Sequence, residues 1–227
     1  MIGEIARKER MEMRRDGRIR SLGGVIAMLT VAALLFGAVQ TERAEHDRSH
    51  AEERAETQWE NQGDKNPHVA AHYGTHVFAP TTVMTAMDPG VSAYLGRSVR
   101  VEAHKRNLAA NAGAEDGGGI SRLGTFSVTR IWLLLVPLLI IAMGYGLWGL
   151  ERERGTLRQV LSTGVSRGHL YWGKWIALST AIGALVIPSA ALIALTLSIL
   201  GGGTWDTALR MAALLAGYLL YFGIFIH

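Results

Sequence analysis

Three histidines, His68, His72 and His76, recur at every fourth position in a chain that has no cysteine. On an uninterrupted helix they would share one face, and neutral imidazoles at that spacing can ligate zinc or copper. Gly74 and Thr75 weaken a helix there, and no carboxylate in the segment completes the set. Eight residues of helix also span about 12 Å, too far for all three rings to reach one ion without strain. The expectation is therefore structural, hydrogen-bonding histidines and no metal, with His68, His72 and His76 kept as the alternative ligand set. Lack of cysteine excludes disulfides and thiolate metal sites.

Three further patterns match chemistry on paper and fail on context. Gly144-x-Gly146-x-x-Gly149 has the spacing of a dinucleotide fingerprint, but it lies inside an apolar run, with no strand before it and no helix start to receive a pyrophosphate. Small residues there suit close helix packing in a membrane. Gly168-x4-Gly173-Lys174 resembles a phosphate loop, yet Trp175 replaces the Ser or Thr that would hold magnesium. Gly164-Val165-Ser166-Arg167-Gly168 has the form of a nucleophile elbow. His169 is near in sequence, but no acid is placed to orient it. Ser166 reads better as the N-cap of the helix that follows. The chain is not expected to be an enzyme.

The elements that must position these residues are mostly apolar helices. Four runs, 22–39, 131–150, 175–200 and 208–226, are each about 18–26 residues long, and a helix needs roughly 20 to cross the hydrocarbon core. Inside lipid the backbone must satisfy its own hydrogen bonds, which makes each run a helix. Only Arg210 charges the interior of a run, near a start, where it can snorkel to headgroups. The first run is long, lacks a small-x-small cleavage site and follows about 20 polar residues, so it reads as a retained span and not a signal peptide. The fold class is thus an all-α integral membrane protein of four spans.

Orientation follows from Lys and Arg in the short flanks. Segment 1–20 carries Arg7, Lys8, Arg10, Arg14, Arg15, Arg18 and Arg20. The 151–174 connector carries Arg152, Arg154, Arg158, Arg167 and Lys174, and the short connector before Ala208 carries none. The positive-inside rule places the N-terminus and 151–174 in the cytoplasm and 41–130 outside. The net charge of +4 then belongs beside anionic headgroups, not to nucleic acid.

Within 41–130, Thr41 to Gln62 reads as a solvated helical stalk continuing the first span. Asn66-Pro67 can start another helix, with Asn as cap and Pro at its first position. Pro80 and Asp88-Pro89-Gly90 read as turns. Glu102-Ala103-His104 is expected in a second polar helix, and Asn111 to Gly119 as a flexible link back to the membrane. The insertion is mainly helical on this reading.

The 151–174 connector is too short to fold alone. Thr156 can cap a short helix whose Leu157, Val160 and Leu161 form a small apolar face, with Gly164 closing it. Such a helix can lie on headgroups or sit in a groove on a cytosolic partner.

Glu151-x-Glu153-x-Gly155-Thr156-Leu157-Arg158, then Leu161-Ser162, Val165-Ser166-Arg167 and Gly173-Lys174, resembles the intracellular segment of ABC-2 type transporter permeases. In that family the segment carries the coupling helix that contacts a separate ATPase subunit. The N-terminal segment, with Ile2, Ile5 and Met13, is similar to the family's interfacial elbow helix. Asn66-Pro67-His68-x-Ala70-Ala71-His72-Tyr73-Gly74, Pro80, Asp88-Pro89-Gly90 and Glu102-Ala103-His104 resemble a subgroup with a large extracytoplasmic domain of unknown function after the first span, related to copper-enzyme maturation permeases.

The resemblance implies a multi-pass permease subunit of an exporter in a bacterial inner membrane. Glu151, Glu153, Gly155, Thr156, Leu157 and Leu161 would dock the ATPase. No cofactor would bind this chain, since ATP and magnesium would sit on the cytosolic ABC ATPase subunit, and a second permease copy would complete the assembly. Family members carry six spans where this sequence offers four, so the rest is expected from a longer or a complementary chain. The alternative is a non-transporting scaffold or sensor whose outer loop binds a protein or metal.

Overall fold

The computed structural model describes residues 1–110 and 126–227, so the Asn111–Gly119 link lies outside the described residues. Two compact units emerge, one from residues 1–34 with 128–227, the other from residues 35–127. The fold is mostly helical, and four of its helices are long and apolar enough to cross a membrane.

In the first unit, α1 (Ile2–Asp16) ends at Gly17 and is followed by the first part of α2 (Arg18–Glu60). After the 35–127 unit, which contains α3 (Pro67–Tyr73) and α4 (Ser92–Leu95), come α5 (Val128–Glu153), α6 (Thr156–Ser162), α7 (Arg167–Leu197) and α8 (Trp205–Ile226). Pro137 and Pro188 stand inside α5 and α7, where neighbouring helices can make up for the lost backbone donor. Past α7 the chain makes a π turn, Ser198–Gly202, before Thr204 caps α8 by accepting from the Thr207 amide.

Packing in this unit centres on Trp132, which is 1 % exposed. Its indole Nε1–H donates to Thr30 Oγ1 at 3.3 Å, while Thr30 donates to the Ile26 carbonyl of its own helix at 2.8 Å. Tyr218 stands edge-on to Trp132 at 5.2 Å between centroids, with Phe222 beyond it. Each such aromatic pair adds about 0.5–1.5 kcal/mol beyond burial, which matters between membrane helices, where lipid tails remove the hydrophobic drive for association. Leu134, Leu138 and Ile141 on α5, and Leu219, Leu220 and Ile224 on α8, are exposed, as suits surfaces meeting lipid. Arg210 forms an exposed ion pair with Asp206 at 2.7 Å, one helical turn away.

In the second unit α2 continues to Glu60, so the stalk is helical throughout. α3 (Pro67–Tyr73) begins as expected, with Asn66 accepting from the His68 amide at 2.9 Å. Beyond α3 the mainly helical insertion also holds a short two-stranded sheet. β1 (Thr75–Phe78) pairs antiparallel with β2 (Ser98–Val101), Thr75 opposite Val101 and Phe78 opposite Ser98. A 3-10 turn, Val83–Ala86, and α4 (Ser92–Leu95) lie between the strands. Val77, Val99 and Val101 are β-branched residues on a short alternating stretch, a strand signal too brief to read unaided. Glu102-Ala103-His104 is correspondingly a turn after β2 and not a helix.

Candidate functional site

α1 carries one charged residue on the face it buries. Ala6, Glu9 and Met13 are its buried positions, spaced as one helical stripe. That stripe lies against the start of α7, where the sequence reads Gly173-Lys174. A Cβ on Gly173 would stand 2.6 Å from Ile5 Cγ2 and 3.3 Å from the Ile2 carbonyl, so only the bare backbone lets α1 settle this closely.

Lys174 is the charge that meets Glu9. Its side chain is 0 % exposed and that of Glu9 3 %. The ammonium lies 3.1 Å from Glu9 Oε1 and 2.9 Å from Glu151 Oε2, and donates to the Leu147 carbonyl at 2.7 Å. The Leu147 carbonyl belongs to the last turns of α5. Lys8 closes the set from the solvent side, 3.2 Å from Glu9 and Glu12 and 3.3 Å from Glu151. Burial works against the Lys8 charge, but the Glu9 and Glu12 carboxylates outweigh it and hold its pKa above the ordinary lysine value. Alternating signs offset the desolvation that would make any one of these buried charges costly alone. The network therefore fastens three elements, α1, the end of α5 and the start of α7, at one point.

α6 hangs directly from that point. Gly155, at φ +71°, turns the chain out of α5 and stands at the N-cap position expected of Thr156. Thr156 is the first helical residue, and its hydroxyl donates back to the Glu151 carbonyl at 3.2 Å. Leu157, Val160 and Leu161 are only half-buried, which leaves an apolar stripe partly open on a seven-residue helix. A cleft of about 460 Å³ between α1, α5 and α6 is lined by Glu12, Arg15, Arg154, Thr156 and Val160 among others.

Of the six residues expected to dock a partner, Gly155, Thr156, Leu157 and Leu161 lie together on α6 and its entry turn. Glu153 is exposed and accepts from the Tyr145 hydroxyl at 2.6 Å. The Glu151 carboxylate turns inward to Lys174 and Lys8. Glu9, Lys8 and Lys174 as a network escaped the sequence reading. The available signal was an acid at the centre of the apolar stripe of α1 and a lysine one residue before an apolar span.

The three false motifs fall where their context implied. Gly144, Gly146 and Gly149 are inside α5, and Gly168 to Lys174 is helix, not loop. Ser166 caps α7 by accepting from the His169 amide at 3.2 Å, and its hydroxyl lies 2.8 Å from His169 Nδ1.

The alternative histidine set is not brought together. α3 stops at Tyr73 and Gly74 takes φ +64°, so His76 falls on β1, stacked on Phe78. His68 and His72 stay together on α3, and the third imidazole beside them is His104, from the turn after β2.

A sequence profile of ABC-2 family transporter proteins matches residues 4–227, nearly the whole chain from α1 through α8. The chain belongs to the ABC-2 transporter family. No curated protein and no solved structure matches it. ABC-2 permeases are multi-pass membrane proteins that generally pair with ABC ATPase subunits and typically lack ATPase activity themselves.

Proposed function

We propose that this chain is the membrane subunit of an ATP-binding cassette transporter, with export as the direction that the family resemblance suggests. A separate cytosolic ATPase hydrolyses ATP and docks on α6. On this reading α1, α6 and the N-terminus face the cytoplasm, following the Lys and Arg distribution, and residues 41–130 form the extracytoplasmic domain of the subgroup with a large insertion. The membrane is a bacterial inner membrane, and a second permease copy completes the pathway.

One observation carries this reading. The half-open Leu157-Val160-Leu161 stripe is attached through Gly155 and Glu151 to a buried ion network that holds α1, α5 and α7 together. A partner that moves α6 therefore pulls on two spans and the N-terminal helix at once. Leu157→Asp should abolish co-purification of the cognate ATPase and its stimulation, because a carboxylate on the stripe opposes burial in an apolar groove. Charge reversal at Glu153, Glu153→Lys, should weaken both. Membrane insertion and yield should match the unsubstituted chain. Normal ATPase co-purification with both variants would refute docking at α6.

A further inference from the structure

We propose that His68, His72 and His104 form a binding site for a divalent late first-row transition metal, with zinc as its reference ion. The proposal does not depend on the transport reading. One ligand atom from each of the three rings lies within 4.8 Å of the others. The His68 and His72 Nε2 atoms are 3.3 Å apart, and two imidazole nitrogens on a tetrahedral ion at about 2.0–2.1 Å must stand about 3.3–3.4 Å apart. That edge of the polyhedron is already in place. Bringing His104 in from the 4.8 Å limit asks for ring movement on the order of 1.5 Å. All three side chains are exposed, so an ion can reach them.

The surrounding backbone is built to bring His104 there. His104 is the one non-glycine at positive φ among the described residues, at +62°, a conformation disfavoured for most side chains and concentrated at sites where geometry is demanded. The preceding residue ties the turn to α3, since the Ala103 amide donates to the Ala71 carbonyl at 2.9 Å. Arg100 Nη2 donates to the Tyr73 carbonyl at 2.7 Å from the neighbouring strand. Gly74 permits the approach, because a Cβ there would lie 2.6 Å from the Val101 carbonyl oxygen and 2.8 Å from Glu102 Cβ. Two histidines one turn apart on a helix, plus a third fixed by a strained turn, make a facial set of three imidazoles.

Glu102, two residues before His104 in the sequence, is otherwise engaged. Glu102 Oε1 accepts from Asn107 at 3.1 Å, with Lys105 at 3.4 Å and Arg100 at 3.7 Å from its carboxylate. A fourth coordination position therefore remains for water or an exchangeable ligand, the arrangement of sites that bind and release and not of closed structural ones. Imidazole ligation favours zinc, copper and nickel over magnesium or calcium, with copper(II) the strongest competitor.

The experiment uses the full chain in detergent, purified with a tag that contains no histidine. Isothermal titration should show one zinc ion per chain at a saturable site. His68→Ala, His72→Ala and His104→Asn should each weaken it at least about 100-fold, beyond the 10–100-fold typical of losing an outer-shell support. Asn is chosen at position 104 because it tolerates left-handed backbone. His76→Ala and His50→Ala should leave the affinity unchanged, although His50 lies tilted against His46 at 4.4 Å between ring centroids as a competing helical pair. X-ray absorption at the zinc edge of the unsubstituted protein should report three imidazole nitrogens, a readout that needs no variant. No saturable site, fewer than three imidazoles, or equal weakening by the His50 variant would each overturn the assignment.

Discussion

Lys174→Met should lower the stability of the detergent-solubilised protein by about 3–5 kcal/mol, the cost of breaking a buried ion pair from one side. The ammonium it removes is fully buried and holds Glu9 at 3.1 Å, Glu151 at 2.9 Å and the Leu147 carbonyl at 2.7 Å. Two carboxylates would then face each other with only Lys8 between them, and one carbonyl would lose its donor. Relief comes by lifting α1 off α7, so thermal unfolding should shift down and α1 should become sensitive to protease. Pairing the change with Glu9→Leu removes one charge of each sign, so the network keeps its parent net charge and Lys8 still faces Glu151, and should recover most of the loss. Replacement of a buried pair by apolar groups is often neutral, whereas removal of one partner is not. A single variant that melts like the unsubstituted protein, or a double variant no better than the single, would show that the network does not hold α1.

The sequence made the membrane helices plain, since runs of about 20 apolar residues have few alternatives to spanning helices. Ser166 and Asn66 were legible for a related reason, as caps act through their own side chains on amides two or three residues away. What stayed hidden depends on residues far apart in the chain. Glu9 meets Lys174 across 165 positions, and nothing local distinguishes it from Glu4 or Glu12 except its place on the stripe of Ala6 and Met13. Lys174 was visible as a connector charge, as part of the family resemblance and as the end of a phosphate loop that does not exist, but not as the partner of a buried acid. The histidines show the same limit: period alone grouped His76 with His68 and His72, but the left-handed Gly74 sent it onto a strand. Pairing of β1 with β2 then brought His104 across to replace it.

Gly173→Leu should detach α1 as thoroughly as loss of the ion network, by steric exclusion and not by charge. Even one carbon at this position would meet Ile5 Cγ2 at 2.6 Å, Ile5 Cβ at 2.7 Å and the Ile2 carbonyl at 3.3 Å, and a packed interface cannot yield that much without a shift of backbone. The chain has no cysteine, so Ala6→Cys, at a position 2 % exposed, gives a clean probe: maleimide labelling should be slow in the parent and fast once Gly173 becomes Leu. The smaller Gly173→Ala makes the cause testable. Ile5→Ala should rescue it poorly, because the Cβ at 2.7 Å remains. Ile5→Gly removes both offending carbons, at a helix-propensity cost of about 1 kcal/mol, and should slow the labelling again. If α1 transmits motion between α6 and the spans, ATPase stimulation should fall and return in step with that labelling. Fast labelling with full stimulation would assign α1 a purely structural role and leave α6 as the sole coupling element.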